Sequence, residues 1–357
     1  MLLLEQYKLF LKTRLLLSLL FLGLSFLTFS VKGQNSIFNE MHYKEVLTVS
    51  LEADFTAIEA SRRSHDKHPA ILTFEDENGI TQRWEVKVKT RGNFRRMKCE
   101  MVPLKINFKK KELKAAGLAS FDDMKLVTHC VRNKAEAVRL LKKEYLSYKL
   151  YNELTAYSYR TQLLKINYID NKTGKKTKHW AILIEDTAEL KNRVGAIASV
   201  DNPINLPRDT FHSGLIKIAS VFQYMIGNSD WDITGGRNIK FIIKNDKVVP
   251  IPYDFDFSGL VNADYAIPNP NYGITSVKNR IFLGHIEDVD NLNSTLAYFK
   301  TKRASFFEMV KDFKMLDEDA RIEIFDYLNS FYVNLTKIEV RQKINYPNPE
   351  SEIGDTK

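Results

Sequence analysis

The chain predicts an α+β fold in two lobes, a β-rich N-terminal lobe with one long helix and a mainly helical C-terminal lobe. Three observations predict it. Short alternating apolar runs fill residues 46–108, one uninterrupted helical period follows at 134–155, and beyond residue 185 helical periodicity takes over.

Val46–Phe55 alternates apolar with polar residues, as a half-buried strand does. Ile71–Asp76 and Arg83–Thr90 flank the turn pair Asn78-Gly79, and Leu104–Phe108 alternates again, which makes an antiparallel meander. Lys134–Thr155 carries Val138, Leu141, Tyr145, Tyr148 and Tyr151 at three- and four-residue spacing without Gly or Pro, the period of an amphipathic helix. Gln162–Ile169 and His179–Glu185 read as strands joined by the polar turn Asn171–Thr177. Thr210–Ile226 is an apolar helix ending at Gly227, Ile239–Ile243 and Val248–Tyr253 form a hairpin about Asn245-Asp246, and the chain beyond Glu287 is helical to about Ile344. The expected units are a leader at 1–33, the β-rich lobe at 34–186 and the helical lobe at 187–357.

Lys8, Lys12 and Arg14 precede an uncharged apolar run from Leu15 to Val31, and Val31-Lys32-Gly33 offers a cleavage site. This is the layout of a signal peptide, so an exported protein is expected, in a periplasm, at a cell surface or secreted. No second segment reads as membrane-spanning, so no membrane partner is expected after the leader is removed. The formal charge of +9 includes four basic groups and one acid in residues 1–33, which leaves +6. The densest basic run, Lys109-Lys110-Lys111 with Lys114, reads as a solvated face, and no nucleic-acid partner is expected. Cys99 and Cys130 are either a disulfide or two buried thiols. No CxxC or HxxxH spacing argues for zinc, and His129, His179 and His212 are isolated.

The chemistry concentrates in Gly227–Gly259. Asp230 and Asp232 precede Asn238 at the entrance to one strand, and the returning strand ends in Pro250-Ile251-Pro252-Tyr253 and delivers Asp254 and Asp256. Paired carboxylates at that spacing can share hard cations, which prefer oxygen ligands and bridge to phosphate. An Asp-then-Asn loop and a second strand ending in Asp is the arrangement kinases use. The intervals from Asp230 and Asp232 to Asn238 differ from those of ordinary protein kinases, and the His-Arg-Asp and Ala-Pro-Glu signatures are missing. Trp231 reads as packing under its loop.

Three patches in order over Thr81 to Gly259 resemble the spore-coat-protein-H (CotH) kinase family: Arg91-Gly92-Asn93 with Pro103–Phe108, Asp230–Asn238, and Ile251–Asp256. The resemblance implies a two-lobed protein-kinase-like fold and transfer of a phosphoryl group from ATP, with Mg²⁺ or Mn²⁺, to a hydroxyl of a secreted or envelope protein. It implies that Arg91, Gly92 and Asn93 cover the phosphates, that Lys105 contacts them, and that Glu144 holds Lys105, with Glu136 and Glu153 also available. Ile184 and Glu185 would form the adenine hinge, Asp232 or Asp230 would face the acceptor hydroxyl, and Asn238, Asp254 and Asp256 would bind metal. Two departures stand out: Phe94-Arg95-Arg96 replaces small hydroxyl residues after Asn93, and Arg237 replaces a His before Asn238. The departures motivate an alternative, a kinase-like surface-binding or assembly protein without turnover.

Overall fold

The computed structural model describes residues 35–64, 66–92, 94–201, 203–204, 206–284 and 289–335. The expected signal peptide, Asn93 and the helical continuation past residue 335 lie outside the described residues.

Seven strands close into a barrel: β1 (Val46–Ala53), β2 (His68–Glu75), β3 (Thr81–Thr90), β4 (Leu104–Phe108), β5 (Asp123–Val127), β6 (Thr161–Asp170) and β7 (Lys176–Ile184). Around the barrel they run β1-β2-β3-β4-β5-β7-β6, and β6 returns to β1. Neighbours are antiparallel except at the closure, where β1 and β6 pair in parallel from Val46↔Leu163 to Ala53↔Asp170. The two-residue period of each strand sends Leu47, Val49 and Leu51 inward to meet Leu72, Val88, Leu104, Ile106, Leu126 and Leu164.

This architecture overturns the expected two-lobed kinase-like fold. Two pairings make the difference. The five-residue β5, unassigned in the sequence, bridges β4 to β7 through Lys105↔Lys125 and Lys125↔Ile184. The parallel β1–β6 ladder joins segments more than a hundred residues apart, and such a pairing leaves no local pattern to read.

The long helix Lys134–Leu154 starts where the Asn133 side chain accepts the Glu136 N–H, and it lies against the outer face of the barrel. Its Leu141, Tyr145, Tyr148 and Tyr151 share a second core with Leu163, Ile182 and Ile184 of the barrel. The same core takes in Phe222 of the helix Ser213–Met225, Phe299 and Phe306 of Val289–Asp312, and Leu328 of Glu318–Val333. A small sheet, in the order β10-β9-β8, is built from β8 (Ala198–Val200), β9 (Ile239–Lys244) and β10 (Lys247–Pro252). Its hairpin turn places Asn245 and Asp246 at φ 49° and 57°, the left-handed pair that a two-residue turn requires.

Candidate metal centre

The register Pro252↔Ile239 fixes where β10 ends, and the chain then turns through Asp254 at φ 65°. Two hydrogen bonds hold this turn: the Tyr253 N–H donates to the Asn238 carbonyl (3.0 Å), and the Asp254 N–H donates to the Tyr148 hydroxyl (2.8 Å). Phe255 is fully buried against Tyr148 and Phe222, so the acids on either side of it are anchored. The long helix adds Glu144 from below. One carboxylate oxygen each from Glu144, Asp254 and Asp256 lies within 4.8 Å of the others.

Arg95 enters this cluster from the short helix Phe94–Lys98. Its guanidinium lies 2.6 Å from Glu144, 2.8 Å from Asp256 and 3.8 Å from Asp254. Burial alone would lower the Arg95 pKa, but Asp256 and Glu144 outweigh it and hold the group charged. Burial pushes Glu144 up to about 8; Arg95 opposes the shift, while Asp256 and Asp254 add to it. Asp256 is likewise raised by burial, against Arg95. Three carboxylates against one guanidinium leave room for a second cation, and the buried Glu144 Oε1 has no hydrogen-bond partner. An all-oxygen set with one partly exposed member, Asp254, suits Mg²⁺ or Mn²⁺.

The two acids left open by the sequence have different surroundings. Asp230 accepts from the Asn238 side-chain amide (2.9 Å) and lies 3.4 Å from the Arg237 guanidinium. Burial raises it to about 6; Arg237 and Asn238 oppose the shift, while Asp256 and Asp254 add to it. Asp232 instead holds the loop together. Its Oδ1 accepts the N–H groups of Thr234 (2.8 Å) and Gly235 (3.1 Å), and its own N–H donates to the Arg237 carbonyl (3.1 Å). Trp231 between them is buried.

Several expected roles fall elsewhere. Lys105 pairs with Asp123, not with Glu144, because the alternation of β4 turns Leu104 and Ile106 into the barrel and Lys105 out of it. Glu136 and Glu153 do not hold it either; they lie near Arg139 and Lys302. Glu144 supplies the third carboxylate; the Asn238 amide nitrogen donates to Asp230, which leaves its amide oxygen, the expected metal ligand, outside those bonds. Ile184 is buried in the core, and the Glu185 side chain is clamped by Arg160 (2.8 Å) and Arg193 (2.7 Å). The Glu185 N–H donates to the Arg160 carbonyl, so this donor of the expected hinge is taken. Gly92 sits exposed at φ 78° with open space where a Cβ would be, so its requirement is conformational. Arg91 makes no ion pair among the described residues.

Two functional candidates were missed in the sequence. Arg95 read as a departure because nothing local tells a buried arginine from a solvated one. Lys125, in the unassigned β5, stands across from Lys105; its ammonium lies 4.5 Å from the Tyr159 ring and 4.7 Å from the Tyr253 ring, with no carboxylate partner among the described residues. Burial lowers it to about 7, helped by Arg91, Lys240 and Lys105 and opposed by Asp254. Cys99 and Cys130 form a disulfide, which ties the end of the Arg95 helix to the segment after β5.

Compared with known protein families and with curated proteins, the chain gives no match.

Proposed function

We propose that the protein is an exported phosphotransferase, an atypical kinase in activity, that moves the γ-phosphoryl group of ATP onto a hydroxyl of a secreted or envelope protein. The observation that carries the reading is the convergence of Glu144, Asp254 and Asp256, with Asp230 held by Asn238 and Arg237 in the loop that leads into β9. The motif resemblance to the spore-coat-protein-H family supports it at Arg91-Gly92-Asn93 with Pro103–Phe108, Asp230–Asn238 and Ile251–Asp256; the resemblance is one of motifs and not of the two-lobed fold. Export rests on the sequence of residues 1–33.

Glu144, Asp254 and Asp256 would hold Mg²⁺ or Mn²⁺, which neutralises phosphate charge when bound. Asp230 accepts a hydrogen bond from the acceptor hydroxyl and aims it, with Asn238 and Arg237 fixing its orientation. Arg91 and Lys125, both without carboxylate partners among the described residues, balance the charge of the phosphates. Catalysis of this kind consists mostly of positioning and charge stabilisation.

Arg95 favours a second reading. A guanidinium already seated among the three carboxylates stabilises the cluster without metal, as in a binding or assembly protein without turnover. Incubation with γ-labelled ATP and Mn²⁺, following label in protein and in released phosphate, separates the two. The first reading predicts transfer that falls about 100-fold or more in Asp254→Asn with the fold retained. Transfer that survives unchanged in that variant sinks it, and nucleotide binding with neither transfer nor phosphate release selects the second.

A further inference from the structure

The helix Ser213–Met225 begins at the rim of a cavity of about 540 Å³, a volume typical of small-molecule sites. Pro203, Phe211, Ile216 and Ile233 give it apolar walls. Lys217, one turn into the helix, also lines it, although only 8% of the residue is exposed. Its ammonium donates to the Ser213 hydroxyl (3.0 Å), and no carboxylate lies within ion-pair distance among the described residues. An ammonium carries three donors, so two remain.

Backbone donors converge on the same space. The Leu215 N–H donates to His212 Nδ1 and the Ile216 N–H to the His212 carbonyl, while the N–H groups of Ser213 and Gly214 have no partner among the described residues. Both residues line the cavity, at the helix end that favours negative charge. Lys247 stands at the rim, its ammonium on the Asp209 carbonyl (2.7 Å), so among the described lining residues cations outnumber the one acid, Asp209.

We propose that this cavity binds an organic anion, with a carboxylate or phosphate head on Lys217 and the N–H groups of Ser213 and Gly214, and an apolar body against Phe211, Ile216 and Ile233. Ile233 and Thr234 come from the loop that carries Asp230, and three residues span at most about 11 Å of chain. The occupant therefore touches the same loop that carries Asp230, but its binding needs neither metal nor nucleotide.

Calorimetric titration of the full chain, without metal or nucleotide, tests this with 4-phenylbutyrate, phenyl phosphate and the neutral 4-phenylbutyramide. At least one of the two anions is expected to bind saturably, and the amide at least about tenfold more weakly than the butyrate if that acid is bound; which anion binds more tightly identifies the head group. Lys217→Met should abolish anion binding while Lys217→Arg keeps it, and Ile216→Trp should block every probe by filling the cavity. If Lys217→Met does not fold, Lys217→Arg and Ile216→Trp decide. Equal binding of acid and amide, anion binding unchanged by Ile216→Trp, or no binding of either anion at millimolar concentration overturns the proposal.

Discussion

Arg95 is seated among the carboxyl groups of Glu144, Asp254 and Asp256, so removing it leaves those acids facing one another inside the protein without a cation. Breaking a buried pair by deleting one partner typically costs 3–5 kcal/mol, and Arg95→Leu is expected to lose about 3 kcal/mol in metal-free buffer. Added Mn²⁺ should restore more stability to this variant than to the wild type in urea melts, because the ion takes over the balancing charge; a loss that Mn²⁺ leaves untouched contradicts the metal role. His129 gives a second test. Burial, with His179 beside it, lowers its pKa to about 4 from an ordinary 6.5. The unfolded chain therefore takes up a proton below pH 6.5 that the folded chain refuses until about pH 4. Stability from the neutral ring is complete above pH 6.5 and is lost as pH falls through that window, on the order of 2 kcal/mol after discounting for partial solvent screening. His129→Gln should flatten this part of the stability–pH curve measured by denaturant titration; an unchanged slope would show that another group carries it. At this scale the sequence exposed Asp254 and Asp256, because their spacing at a strand end is itself the signal. It did not separate Asp230 from Asp232, since that distinction lies in which carboxylate accepts the N–H groups of Thr234 and Gly235.

The short helix Phe94–Lys98 holds Arg95 in place, and the Cys99–Cys130 bridge, across a sequence separation of 31, closes a loop that starts at the end of that helix. Chain-entropy reasoning puts the stabilisation from such a loop at about 3–4 kcal/mol, and the double variant Cys99→Ala/Cys130→Ala should lose that amount in guanidinium melts. Matching stability with and without the bridge would contradict the pairing. In the β9–β10 hairpin, Asp246 holds a left-handed conformation that glycine adopts without strain, so Asp246→Gly should raise stability by about 0.5 kcal/mol. A drop in melting temperature would mean that the Asp246 side chain contributes more than its backbone costs. The hairpin and the helix Lys134–Leu154 were legible because turn residues and an unbroken helical period are local properties. The helix expected from Thr210 begins at Ser213, because Arg208–Thr210 forms one 3₁₀ turn and His212 caps the helix proper. The strand β5 was missed because five residues that include Asp123 and Lys125 resemble a polar connector until their neighbours are known.

Barrel closure distinguishes this molecule from the two-lobed kinase-like fold its motifs suggested. In a closed barrel, β1 has a partner on each side, β2 and β6, so its amides on both edges should exchange with solvent as slowly as those of β3. Rapid exchange of alternate β1 amides, measured by NMR, would mark an open edge and contradict the closure. Most strands were legible singly, from their alternation, whereas the β1–β6 ladder and the bridging by β5 are properties of the assembled chain. The candidate site spans both kinds of information: Asp254 and Asp256 come from a local motif, while Glu144 and Arg95 reach it only through the packing of two distant helices on the barrel. The most direct test of the central claim is calorimetric titration of Mn²⁺ into the protein with a non-hydrolysable ATP analogue, comparing wild type with Asp254→Asn. One nucleotide-dependent Mn²⁺ site, weakened about tenfold or more in the variant, is predicted. Mn²⁺ binding that is absent, or equally tight in both proteins, would contradict it.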